Sequence, residues 1–112
     1  MARRWTSEEG TMAGFVQIIE MKTSRIDEVR QLVDEMRAKR EARGDAMPSR
    51  ATMGEDRDRP GTYISIVEFD SHEAAMANSN DPLTSEMAKN VAELCDGPPK
   101  FTNVDVTFVQ ER

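Results

Sequence analysis

By side-chain type, the pair in this chain best suited to chemistry is His72–Glu73. On a helix, these residues begin the zinc signature H-E-x-x-H. There a second imidazole one turn on shares the helix face, and the glutamate handles the proton. Position 76 is Met76, His72 is the only histidine and Cys95 the only cysteine. One chain therefore offers too few nitrogen and sulfur ligands for a conventional zinc site, and no metal is expected. His72 also suits a general base, because imidazole titrates near neutrality. The plainer reading is a surface histidine beside a helix cap, where its positive form opposes the helix dipole. No Ser–His–Asp order, phosphate-cradling glycine loop or dinucleotide fingerprint is present, so no cofactor is expected. Most carboxylates fall at helical spacing from Lys or Arg and read as solvated ion pairs.

A second group of residues suits binding. Met36, Met76 and Met87, three of eight methionines, lie at helical positions, and methionine fills irregular space or lines adaptable pockets. With Phe15, Tyr63 and Phe69 they would bound an apolar cleft for a flat ligand; core packing is the plainer alternative. Gln17, Ser65 and Asn78 would supply polar contacts. The candidate ligand-binding set is Gln17, Tyr63, Ser65, Phe69, His72, Asn78 and Met87. No catalytic residue is assigned.

Composition narrows the classes. The 112 residues suit one domain with a modest core. The net charge of −6 repels a phosphate backbone. The one basic cluster, "RAKREARG" at residues 37 to 44, reads as a solvated helix face, so no nucleic-acid partner is expected. No apolar run reaches the roughly 20 residues needed to cross a bilayer. "MARRWTSEEGTM" has no apolar stretch behind its arginines, which argues against a secretory signal. A lone cysteine allows no internal disulfide and fits a reducing, cytoplasmic location.

The elements that must position these residues are legible. Residues 1 to 11 read as a flexible arm carrying Trp5. "GFVQIIEMK" (14 to 22) is a strand. "RIDEVRQLVDEMRAKREARG" then places Ile26, Val29, Leu32, Val33 and Met36 at helical spacing. Ser24 and Asp27 resemble a capping box at its start, and Gly44 is a stop. "PSRATMGEDRDRPGTYISIVEFD" reads as two strands around a charged "DRDRPG" tip, with Pro48 opening the first. Asp70 or Ser71 caps a short helix. Asp81 and Pro82 start another, striped by Leu83, Met87, Val91 and Leu94. "KFTNVDVTFVQER" is the last strand, with Val104, Val106 and Phe108 on one side. This is the split βαβ order of a ferredoxin-like α+β sandwich with an antiparallel sheet, one domain over residues 12 to 112.

Strand parity adds an expectation. Phe15, Ile19 and Met21 oppose Val16 and Ile18, while Tyr63, Val67 and Phe69 oppose Ile64 and Ile66. Both sheet faces carry large apolar groups, and helices cover only one. A homodimer with two sheets face to face is expected. Asn103, Asp105 and Thr107 on the last strand run against it.

"FVQIIEMK" leading into a long helix, "YISIVEFDSHEAAMANSNDP" and "VDVTFVQER" resemble the dimeric α+β barrel superfamily, in its antibiotic biosynthesis monooxygenase-like branch. The resemblance spans residues 13 to 112. It implies that a site, where present, lies in a cleft between helices and sheet in each subunit; members of the branch include cofactor-independent monooxygenases of aromatic polyketides, haem-degrading enzymes and many small proteins without an assigned reaction. Haem-degrading members use an Asn, a Trp and a His; Ile19, Asn78, and Ala88 or Lys89 stand near those positions, and none matches. Quinone-forming members use Asn, Trp and Tyr, for which Asn78 and Tyr63 are the nearest types. The expectation is a small homodimer binding an apolar or aromatic molecule and, if it is an enzyme, a cofactor-independent monooxygenase. The alternatives are a non-catalytic interaction or stress-related dimer, and a ligand-sensing regulator whose "GEDRDRPG" hairpin meets a partner.

Overall fold

Strand β1, Phe15–Lys22, runs through the middle of the sheet and carries apolar groups on both faces. The computed structural model describes residues 14–44 and 48–110. The expected arm at residues 1 to 11, with Trp5, lies outside them. The elements follow as α1 (Ile26–Arg43), β2 (Arg50–Glu55), β3 (Thr62–Phe69), α2 (His72–Ser79), α3 (Pro82–Glu93) and β4 (Lys100–Asp105). The sheet order is β2-β3-β1-β4, with every neighbouring pair antiparallel. This is the ferredoxin-like α+β sandwich.

Register assigns the two faces. Toward the helices lie the rows Phe15–Phe69, Gln17–Val67–Asn103, Ile19–Ser65–Phe101 and Met21–Tyr63. Two apolar clusters close the ends of this face. Phe15, Phe69 and Ala75 close one, and Met21, Val29 and Val91 the other. Each fully buried side chain of this size stabilises the fold by about 1.5–3 kcal/mol. Val16, Ile18, Ile64, Ile66 and Val104 occupy the opposite face. Asn103 faces inward and accepts a 3.2 Å hydrogen bond from Gln17 Nε2. It and Asp105 therefore do not interrupt the outer apolar face as the sequence suggested. β4 stops at Asp105, so Val106 and Phe108 lie beyond the strand; the Val106 N–H still bonds the Gly14 carbonyl at 3.1 Å.

The helix ends show where local sequence decides structure. Ser71 Oγ caps α2 by accepting from the Ala74 N–H at 3.1 Å, and Asp81 caps α3 by accepting from Leu83 at 2.8 Å. Gly44 ends α1 in the left-handed region. The start of α1 differs from the expected Ser24–Asp27 box, since the N-cap position is Arg25 and makes no side-chain cap. Thr23 takes over. Its buried hydroxyl accepts from the Arg25 N–H at 2.9 Å and donates to the Leu94 carbonyl at 2.6 Å, tying the start of α1 to the end of α3. Pairing of β2 begins at Ser49, whose N–H bonds the Glu68 carbonyl at 2.8 Å, one residue after Pro48.

The β2–β3 tip uses its charges internally. Arg59 pairs with Asp56 at 2.7 Å and Glu20 at 3.1 Å, and Asp56 also accepts from the Asp58 N–H at 2.9 Å. The Asp58 N–H and Arg59 hold the Asp56 carboxyl below its ordinary range. Gly61 turns the chain with positive φ.

Gly14 and Gly54 allow a direct test of the packing. A Cβ at Gly14 would collide with the Asp70 backbone carbonyl, whereas one at Gly54 meets open space. Gly14→Ala should therefore destabilise by about 1–3 kcal/mol. Gly54→Ala should be neutral or stabilising by about 0.4–1 kcal/mol. Urea unfolding of the two variants checks this; equal midpoints would contradict the close approach of Gly14 to Asp70.

Candidate functional site

Between the two apolar end clusters, the inner sheet face carries Gln17 and Ser65, side chains too small or too polar to fill the space under the helices. A cavity of about 300 Å³ results. Its floor is Gln17, Ile19, Met21, Ala51, Met53, Ser65, Val67 and Phe101 from the sheet. Its roof is Val29, Val33, Met36 and Arg40 from α1, Asn78 from α2, and Thr84, Met87, Ala88 and Val91 from α3. Arg37, Pro48, Ser49, Arg50 and Pro99 complete the lining. This size and mix, mostly apolar with a few convergent polar groups, is that of a small-molecule site. A larger depression of about 440 Å³, bounded by Asp27, Arg30, Gln31, Asp34, Glu35 and Ala38, is formed by α1 alone. It is a solvent-facing groove between hydrated side chains.

Of the candidate residues, the structure brings Gln17, Ser65, Asn78 and Met87 together around the cavity. Phe69 lies in the end cluster with Phe15 and Ala75, outside the lining. Tyr63 packs against the other cluster, and burial, followed by the nearby Glu55, raises its phenol above the ordinary range. His72 is exposed and meets Phe15 edge-on, with ring centroids 5.1 Å apart. These three are displaced for one reason: they lie at the ends of the inner rows or one residue into α2, and the cavity occupies the middle. Met36 joins the lining, whereas Met76 faces outward and is 36% exposed. Ile19, Asn78 and Ala88, the positions aligned with the haem-degrading residues, all line the cavity. Their types supply neither an iron ligand nor the aromatic partner.

Arg40 is the residue that sequence reasoning misplaced. The basic run at 37 to 44 reads as a solvated face, yet Arg40 is only 2% exposed. The signal was present: positions 29, 33, 36 and 40 continue one helical stripe. Its Nη2 donates to the Asn78 carbonyl at 3.4 Å and to Thr84 Oγ1, and lies 3.4 Å from the Asp81 carboxylate. Asp81 also accepts from Arg43 at 2.6 Å while capping α3. One guanidinium thus joins α1 to the α2–α3 junction. The Leu83 N–H, then Arg43 and Arg40, hold the Asp81 carboxyl below its ordinary range. Cys95 is half-buried, and burial raises its thiol, which disfavours the reactive thiolate.

No protein-family profile matches the sequence, and no curated protein does so either. Solved structures do match in shape. A monooxygenase of Streptomyces coelicolor, from the gene ActVA-Orf6 and in complex with nanaomycin D, superposes with a TM-score of 0.69 at 19% identity, covering 89% of this chain and 93% of its own. SnoaB, a cofactor-independent oxygenase of Streptomyces nogalater, gives 0.66 at 17%, with 87% and 97% covered. A conserved protein of Methanosarcina mazei gives 0.72 at 9%, with 89% and 99% covered. This chain has the antibiotic biosynthesis monooxygenase-like fold. No helix among the described residues is long and apolar enough to cross a membrane.

Asp81 gives the site a pH signature. A depressed folded-state pKa contributes stability that is complete above the unfolded value of about 4 and is lost as pH falls through the folded value. Asp81→Asn should retain some capping but lose both ion pairs. It should be less stable than the parent at pH 7, with the gap narrowing below about pH 4. Denaturant unfolding followed by circular dichroism from pH 7 to 3 measures this, and a constant gap would count against the ion pairs.

Proposed function

We propose that this protein is a homodimer that binds a small aromatic molecule in the cavity and oxidises it with molecular oxygen, without a cofactor. The carrying observation is the cavity between sheet and helices, with Gln17, Ser65 and Asn78 converging on an otherwise apolar lining, in a monooxygenase-like fold. The described lining contains no Asp, Glu, His, Lys, Cys or Tyr. Its polar groups orient and stabilise, so the substrate must be acidic enough to pass its proton to solvent water. A substrate with an acidic CH₂, such as an anthrone, fits that demand. Its carbanion reduces O₂, the CH₂ becomes C=O, and the second oxygen atom leaves as water with both hydrogens. Asn78 and Gln17 amides are suited to stabilising the developing enolate oxygen.

Oxygen uptake with an anthrone and hydroquinone panel, without added metal, flavin or haem, tests the chemistry. Turnover is expected with at least one substrate, and Asn78→Ala should lower it by at least about ten-fold. No uptake across the panel would leave the second reading, a binding protein without catalysis, which the same base-free lining supports. The hairpin-partner reading draws less support, because the charges of Asp56 and Arg59 at the tip are already paired within the chain.

Dimerisation rests on the outer sheet face. Ile18 and Ile66 are register partners at its centre, and Val16, Ile64 and Val104 surround them. Ile66 and Val104 are 38% and 36% exposed in the single chain, and covering such a patch is favourable. Light scattering at micromolar concentration should give twice the chain mass. Ile66→Glu should shift the protein to monomer while circular dichroism stays unchanged; a monomeric parent would overturn this assignment.

A further inference from the structure

Four of the eight methionines, Met21, Met36, Met53 and Met87, line the cavity. The described lining holds no Cys, His, Trp or Tyr, so methionine sulfur is its only readily oxidised group. The four are not equivalent. Met21 is 6% exposed and packed into the cluster with Val29 and Val91. Met36 and Met87 also border a smaller groove between α1 and α3 and so face two ways. Met53 meets the cavity from the sheet. It belongs to the inner row Met53–Ser65–Ile19–Phe101, every member of which lines the cavity, and it is the direct cross-strand partner of Ser65. Side chains paired in this way have Cβ atoms about 4.5–5.5 Å apart. A thioether and a hydroxyl are thereby set side by side on the cavity floor, with apolar Ile19 and Phe101 continuing the row. Among the described residues the Ser65 hydroxyl has no hydrogen-bond partner, so it can donate to a ligand.

We propose that the cavity takes small aromatic hydroperoxides and that Met53 reduces them, with the ring over Ile19 and Phe101 and the peroxide at Ser65. The Met53 sulfur attacks the terminal peroxide oxygen. An S–O bond forms, the O–O bond breaks, and the inner oxygen keeps the electron pair, takes up the hydroperoxide proton and leaves as the alcohol. Sulfur is oxidised by two electrons to the sulfoxide and the hydroperoxide is reduced by two, so the step needs no further reagent and stops at one equivalent per Met53. A thioether is a nucleophile without deprotonation, which suits a lining that holds no base. The Ser65 hydroxyl donates to the departing oxygen as charge develops on it. The proposal rests on the reading of this cavity as a site for aromatic molecules, and not on the oxygen chemistry.

The test treats the full chain with cumene hydroperoxide or with hydrogen peroxide, about one equivalent of each, and follows sulfoxide at every methionine by peptide mass spectrometry. Met76, exposed on α2, is the internal reference. Cumene hydroperoxide should oxidise Met53 at least about ten-fold faster than Met76, because seating the ring holds the peroxide against the sulfur. Hydrogen peroxide has no ring to seat and should oxidise Met76 first. Ser65→Ala should slow oxidation of Met53 by at least about ten-fold and leave Met76 unchanged. Met53→Leu, a nearly volume-conserving change, should remove the fast release of 2-phenylpropan-2-ol. The ratio in the unsubstituted protein stands even where a variant fails to fold. The same Met53-to-Met76 ratio with both oxidants would overturn the proposal, and an unchanged Met53 rate in Ser65→Ala would overturn the role of Ser65. Calorimetric titration of 2-phenylpropan-2-ol separates this proposal from the cavity reading. Binding of the alcohol without preferential oxidation of Met53 would overturn the reduction alone; neither binding nor preference would overturn both.

Discussion

A charged side chain must find partners wherever the chain buries it, and in this protein Arg40 is where that constraint organises the architecture. It leaves α1 on the same stripe as Val29, Val33 and Met36 and so is carried inward with them. Once inside, its guanidinium requires acceptors. The break between α2 and α3 supplies them: the Asn78 carbonyl at the end of one helix, and Asp81 and Thr84 at the start of the next. The Asn80–Pro82 interruption is therefore more than a turn. It presents backbone and side-chain oxygens with capacity for a further bond at the point where α1 delivers its charge, and this contact joins α1 to the α2–α3 junction.

The cavity follows from a second constraint, the pleat. Alternation puts Phe15, Gln17, Ile19 and Met21 on one face of β1, and antiparallel pairing sets Phe69, Val67, Ser65 and Tyr63 beside them. Large apolar groups at both ends form the two buried clusters, and the middle rows carry Gln17 and Ser65. A polar group there cannot fill space as a leucine would and must find a hydrogen bond, as Gln17 does with Asn103. Space enclosed by apolar walls around a few polar groups is the usual form of a ligand site. The same fold serves proteins of different or unassigned activity. The side chains of this middle zone, more than the fold, therefore decide what the protein does.

Much of the architecture was legible from residues alone. Asp81–Pro82 and the Asp70–Ser71 pair marked helix starts, the structure choosing Ser71 as the cap, and Gly44 marked a stop through its backbone freedom. Gln17, Ser65, Asn78 and Met87 were legible as a group because parity and helical spacing give facing directions. Tyr63, Phe69 and His72 were grouped with them by type, and type says nothing about position along a row. Thr23 was missed as the anchor of α1 because its partner, the Leu94 carbonyl, is 71 residues away. Asn103 was assigned to the wrong face because the phase of β4 depends on its pairing with β1.

The sequence by itself determined the order of elements, the capped starts of α2 and α3, the stop of α1 and the apolar character of both sheet faces, because these depend on contacts a few residues apart and on the periods of helix and strand. Only the tertiary structure decided that Arg40 is inside, that His72 is outside and that the cavity lies over the middle rows of the sheet. Those outcomes depend on which distant groups meet. A cation in a basic run is solvated by default and becomes buried only when a carboxylate and two oxygens from other helices converge on it. That convergence moves the chemical interest of this protein from His72, its one conspicuous side chain, to an arginine that looked like surface charge.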